Sequence, residues 1–147
     1  MRLVLDANRL FAALIKNSIS RKILFHPSLE FIAPDYILIE LSNHKNELIR
    51  KSKLPEDEFD ILFQSIFENI IIISLEEIKP CYKRAKEIMK NIDPDDAVFL
   101  ALSFCSPNDG IWTEDAHFEE QDAVRVWKTT ELMEVLGMKN TEKNKSM

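Results

Sequence analysis

The sequence predicts an α/β protein, a three-layer α/β/α sandwich around a central, mostly parallel sheet of about five strands. Short apolar runs of strand length alternate with longer stretches of helical period along the 147 residues. Alternation of this kind puts helices on both faces of a parallel sheet. The run Ile70-Ile71-Ile72-Ile73 is the clearest strand, as expected where both sheet faces are buried. No repeat and no linker divides the chain, so one domain is expected over residues 1–137, followed by a polar tail over 138–147 expected to be disordered.

Taken in order, residues 2–5 read as the first strand, followed by a helix to about Lys16 and a second from Ser20 to about His26. Residues 29–33 form the second strand. Pro34-Asp35 then opens a long helix running towards Lys53, with Asp35 suited to its N-cap. Pro55-Glu56-Asp57-Glu58 starts the next helix with acids favourably set in the first turn. After the isoleucine strand come helices over about 75–90 and 94–105, strands over 110–113 and 124–128, and a short helix over 130–136.

Composition excludes several function classes. Only two glycines occur, Gly110 and Gly137, so neither a phosphate-cradling P-loop nor a dinucleotide fingerprint can be built. No apolar run approaches the ~20 residues of a membrane span. Asp6 follows the N-terminus too closely for a signal peptide, and a cytosolic protein is expected. Cys81 and Cys105 lack metal-type spacing and are expected to be buried free thiols. A net charge of −6 argues against binding nucleic acid by bulk electrostatics, unless cations held by carboxylates offset it at the site.

In parallel sheets ligands bind beyond the carboxyl ends of the strands, and acids stand there. Asp6 ends the first strand, either projecting into the crevice or capping the next helix. Asp115 closes Ile111-Trp112-Thr113-Glu114-Asp115, again as a crevice carboxylate, a cap or a surface residue. Together they would crowd like charge on one sheet edge, which calls for a cation or a proton. Asp93-Pro94-Asp95-Asp96 holds more acids than capping requires, and Asp93 and Asp96, three apart, could reach one site. Glu40 is the only charge between Tyr36 and Leu41. It is either a site carboxylate or the solvent-facing member of the stripe Tyr36, Glu40, Asn43, Glu47.

In this order the motifs Leu5-Asp6-Ala7-Asn8, Ala33-Pro34-Asp35 leading to Glu40-Leu41, Asp93-Pro94-Asp95-Asp96-Ala97 and Trp112-Thr113-Glu114-Asp115 resemble the PIN domain. That family includes VapC-type toxins and RNA-processing nucleases. The resemblance runs from Met1 to about Leu136. It implies a ribonuclease cutting RNA phosphodiester bonds with one or two Mg²⁺ or Mn²⁺ ions. Asp6, Glu40, Asp96 and Asp115 would be the four acids, with Asn8, Asp93 and Thr113 supporting. Glu114 departs from the glycine common at its position. The resemblance also implies an antitoxin protein as partner and a homodimer as the assembled state.

Lys45, Arg50 and Lys51 on the long helix are candidates for holding the RNA backbone, and Lys83, Arg84, Lys86 and Lys90 form a second basic run; either is equally a solvated face. His26, His44 and His117 accompany no nucleophile motif; His117, close to Asp115, could touch substrate but reads first as a surface residue. Competing readings are a PIN-like module that binds RNA or protein without cutting, and a phosphoryl-transfer fold with Asp6 as acceptor. The latter lacks a second Asp two positions on, where Asn8 stands.

Overall fold

A computed structural model describes residues 1–138. Five parallel strands form one sheet, β1 (Arg2–Leu5), β2 (Glu30–Pro34), β3 (Ile70–Ile73), β4 (Ile111–Trp112) and β5 (Val126–Trp127), in the spatial order β3-β2-β1-β4-β5. The helices are α1 (Ala7–Ile15), α2 (Ile19–Leu24), α3 (Tyr36–Ser52), α4 (Glu56–Phe67), α5 (Leu75–Met89), α6 (Ala97–Cys105) and α7 (Thr129–Leu136). The α/β/α sandwich with a five-stranded sheet expected from the sequence is therefore the fold, with every strand pair parallel.

The sheet changes direction between β1 and β4. From β1 the chain moves outward to β2 and β3 on one side, then returns to lay β4 and β5 on the other. Strand ends diverge at such a switch point and leave a crevice. Leu5 pairs with Trp112, so the residues just after β1 and β4 face each other at its mouth. The centre is fixed by a dense core: Leu3, Val4, Leu5 and Trp112 are fully inaccessible, and six consecutive residues from Ala97 to Leu102 are buried in α6. Gly110 lets β4 slot between its neighbours. Its φ is 133°, and a Cβ there would stand 2.6 Å from the carbonyl oxygen of Arg125 and 2.7 Å from Trp127 Cδ1.

Two expectations need correction, and a third holds only in part. The isoleucine strand is not buried on both faces: β3 pairs only with β2, and Ile71 is 43% exposed while Ile70 and Ile73 are covered. A run of four isoleucines has the same composition at an edge as at a centre. Asp35 stands at the N-cap of α3 but makes no side-chain cap there; its Oδ2 accepts from the backbone N–H of Leu75 at 3.2 Å, tying the start of α3 to that of α5. Cys81 and Cys105 are not free thiols. They form a disulfide between α5 and α6, with Cα atoms 5.9 Å apart. Sequence spacing hid this because the pairing depends on α5 and α6 packing together, the most extensive helix contact in the fold.

Among the described residues no helix is long and apolar enough to cross a membrane. The polar tail lies outside the described residues except Met138, whose N–H donates to the carbonyl of Met133 at 2.8 Å and whose side chain packs on the core.

The disulfide closes a separation of 24 residues. Its loss should therefore lower the free energy of unfolding by about 3.5 kcal/mol through the freedom regained by the unfolded chain. Urea unfolding with and without a phosphine reductant, and of Cys81→Ser, measures this; coincident curves would contradict it.

Candidate metal centre

At the crevice mouth the two strand ends are joined through a hydroxyl. Thr113, fully buried, donates from Oγ1 to Asp6 Oδ2 at 2.7 Å and accepts the backbone N–H of Asp115 at 2.9 Å. Asp6 is 4% exposed, and its other oxygen accepts the N–H of Asn8 at 3.5 Å. Asp115 Oδ1 likewise accepts the N–H of His117 at 2.9 Å, capping the 3-10 turn Ala116–Glu120. Cap and crevice carboxylate, alternatives in the sequence, are thus the same residue in each case. The caps fix the orientation of both groups.

A third acid turn comes from the other end of α6. Asp93 Oδ1 accepts the N–H of Asp95 at 3.1 Å and starts the 3-10 turn Pro94–Asp96. Its Oδ2 is then directed to His117 Nδ1, 3.2 Å away. That nitrogen is also 3.2 Å from Asp115 Oδ1 and 3.8 Å from Asp96 Oδ2. Three carboxylates from two separate turns therefore converge on one ring nitrogen. Asp96 Oδ2 is buried and accepts no hydrogen bond.

The electrostatics follow from crowding in a half-dry site. Burial pushes the Asp96 carboxyl up to about 7, helped by repulsion from Asp93, Asp6 and Asp115 and opposed by His117. Burial likewise raises Asp6; the Thr113 and Asn8 hydrogen bonds hold it down, Asp115 pushes it up and Arg9 draws it back. Glu40 is half-buried and raised by burial and then by the charge of Asp6, against a smaller pull from His44. Asp6, Glu40, Asp93, Asp96 and Asp115 therefore share one field.

A family model described as the PIN domain matches residues 4–137. The chain belongs to the PIN-domain family. PIN domains are generally metal-dependent nucleases. A comparison with curated proteins finds no match.

For this PIN domain the donor set suits a divalent cation. Asp93, Asp96 and His117 each present a ligand atom, all within 4.8 Å of one another. The carboxylate oxygens are hard donors of the kind divalent cations take, and the imidazole adds one nitrogen donor. The unpartnered Asp96 Oδ2 is the observation that fits such an ion best, because buried acceptors without partners are costly.

His117 was read from the sequence as a surface residue, and that is only half true. Its side chain is 45% exposed, yet Nδ1 lies among the acids. Its nearness to Asp115 in sequence carries over into space, because it stands in the turn that Asp115 caps. Glu114 is turned away from the centre: its Oε1 accepts the N–H of Thr129 at 2.6 Å and caps α7. Asn8 contributes through its backbone N–H, its side chain being exposed.

The basic candidates on α3 stand apart from the acids. Lys45 lies 3.5 Å from Asp60 of α4 and Lys51 lies 2.9 Å from Glu47. Arg50, in the last turn, follows Glu40 by ten residues, roughly 15 Å along a helix.

These shifts have a consequence for the metal-free protein. Unfolded, Asp96 loses its proton near 3.8; folded, it keeps it to about 7. Between those values the folded chain binds more protons, so raising the pH there removes stability. Asp6 and Glu40, also raised, contribute with the same sign. Unfolding in EDTA across this interval should give a loss for the wild type that is smaller in Asp96→Asn. Equal pH slopes for the two proteins would contradict the assignment.

Proposed function

We propose that this PIN domain is an endoribonuclease that hydrolyses RNA phosphodiester bonds with Mg²⁺ or Mn²⁺ held by Asp6, Asp96 and Asp115, with Glu40 completing the set directly or through water. The observation that carries the reading is the buried, unpartnered oxygen of Asp96 among four further acids. A buried acceptor without a partner costs stability, and a bound cation would offset that cost.

Each residue has a definable task. Thr113 holds Asp6 in one rotamer and, through its hydroxyl, the backbone of Asp115, so that two ligands move as one body. Asp93 keeps one oxygen for its own turn and leaves the other beside His117. His117 Nδ1, 3.2 Å from both Asp93 Oδ2 and Asp115 Oδ1, brings the two turns together and would offer the ion a nitrogen donor. When bound, a divalent ion at such a site supplies Lewis acidity that activates water and offsets charge on the phosphate. Asn8 stabilises the Asp6 carboxylate through its N–H.

The RNA strand would run from the acids along α3, where Lys45, Arg50 and Lys51 meet its phosphates. Lys45 and Lys51 must then exchange Asp60 and Glu47 for RNA, a small cost for exposed pairs. As to biological role, we infer the toxin of a toxin–antitoxin pair, restrained by an antitoxin protein and assembled as a homodimer, acting in the cytosol, with RNA maturation as the alternative. Growth arrest on expression of the chain alone, relieved by Asp6→Asn, separates this role from RNA maturation; unarrested growth with active enzyme would reject it.

Cleavage of a labelled single-stranded RNA should require Mn²⁺ or Mg²⁺, stop with EDTA, and fall by at least about a hundredfold in Asp6→Asn, the scale of removing a charge-stabilising group. In the same assay, neutralising Lys45, Arg50 and Lys51 together should weaken RNA affinity and flatten its salt dependence. Well-folded protein that binds Mn²⁺ but cuts no RNA would reject the nuclease reading. Unchanged affinity and salt slope in the triple variant would reject the basic track.

A further inference from the structure

A groove of about 520 Å³ opens directly beside the acid cluster and is not used by it. One wall is the first turn of α3, with Tyr36 and Ile39; the other is α5, whose Leu75, Lys79 and Tyr82 recur at helical spacing. Its floor includes Pro94, Asp95 and Val98. The groove therefore begins at the residue before Asp96, and at the residue one helical turn before Glu40. Tyr36 reports the same closeness, its hydroxyl being raised by burial and by the charges of Glu40 and Asp95.

We propose that this groove receives one unpaired nucleobase of the strand being cut, next to the phosphate at the acid cluster. The proposal rests on the nuclease reading and specifies its substrate as RNA with an unstacked base at the cleavage point. Size agrees, because small-molecule sites of a few hundred cubic ångströms enclose ligands of this class. The lining is mainly apolar, with Ile39 and Leu75 more than half uncovered or close to it, at 56% and 50% exposure. Two tyrosines stand at the groove, and base–aromatic stacking is tolerant of base identity.

Charge selects the base over the backbone. Asp35, Glu76 and Asp95 outnumber Lys79 at the groove, a poor setting for phosphate. Asp35 is already engaged by the N–H of Leu75, leaving Glu76 and Asp95 as acceptors for amino and imino groups on a base edge. Lys79 lines the groove and Lys86 lies 5.7 Å from the Tyr82 ring centre, so both could meet phosphates flanking the base. A base inside a duplex cannot enter such a groove without leaving its stack. Unpaired RNA is therefore the matching substrate.

The test is an abasic walk along a single-stranded RNA. Binding is followed by anisotropy with the full chain in Ca²⁺, and cleavage in Mn²⁺. A missing base at one position beside the cut should weaken binding about tenfold, within the range of one lost stack. Tyr82→Ala should weaken binding of the intact strand by a similar factor and add nothing for the strand abasic at that position. Tyr82→Phe, which keeps the ring, should bind like the wild type and guards against a folding defect, as does the thermal transition of each variant.

Insensitivity to the lesion at every position, or additive losses, would overturn the proposal. If Tyr82→Ala instead separates a dimer while the lesion has no effect, the groove belongs to a second copy of the chain. A strand bound with the expected pattern but never cut removes the nuclease reading and keeps the base groove. A strand cut regardless of the lesion does the reverse, and one neither bound nor cut removes both.

Discussion

Five carboxylates crowded at one end of a parallel sheet repel one another, and burial deprives most of them of the water that would soften the repulsion. Burial is the leading cause of the upward shift at Asp6, Glu40 and Asp96, with neighbouring acids second or close behind. Left alone, such groups would take up protons or swing outward. Asp96 does keep a proton to about pH 7, while short-range bonds hold Asp6, Asp93 and Asp115 in place. Thr113 links Asp6 to the Asp115 backbone, and the side chains of Asp93 and Asp115 each close the turn that follows them. The hydroxyl of Thr113 is the contact on which the arrangement depends, because it spans the switch point between β1 and β4 at the base of the site.

The rest of the fold makes that contact rigid. Leu5 and Trp112 pair across β1 and β4, and neither is accessible. Gly110 allows β4 to approach β5 without a side chain in the way. The apolar helix α6 carries Asp96 at its head and buries every residue of its first six. Rigidity of the scaffold and strain in the site are therefore adjoining properties of the same elements. The Cys81–Cys105 bond extends this to the surface by fastening α6 to α5, the helix that also walls the neighbouring groove.

Much of this was legible in the sequence because it is periodic or positional. Strand ends could be read from where apolar runs stop, and Asp6 and Asp115 stand at two of them. The acidic turn before Ala97 announced itself by having more acids than a cap uses. What stayed hidden depends on distance in space. Whether the isoleucine strand lies at an edge, whether Cys81 meets Cys105, and whether His117 turns inward are set by strand order and helix packing. Periodicity reports neither. Glu114 illustrates the same limit: adjacent to Asp115 in sequence, it serves α7. The PIN domain's negative total charge is likewise a property of the sum, whereas phosphate meets one cluster whose sign depends on what cation it holds.

If the acids are arranged for a cation, binding it must displace the proton that Asp96 holds below about pH 7. Calorimetric titration with Mn²⁺ slightly below that pH, in buffers of different ionisation enthalpy, measures the protons released per ion. The account predicts saturable binding with net proton release that shrinks above the Asp96 transition and is diminished in Asp96→Asn. Absence of Mn²⁺ binding to folded protein, or binding with no proton release at any pH, would contradict it.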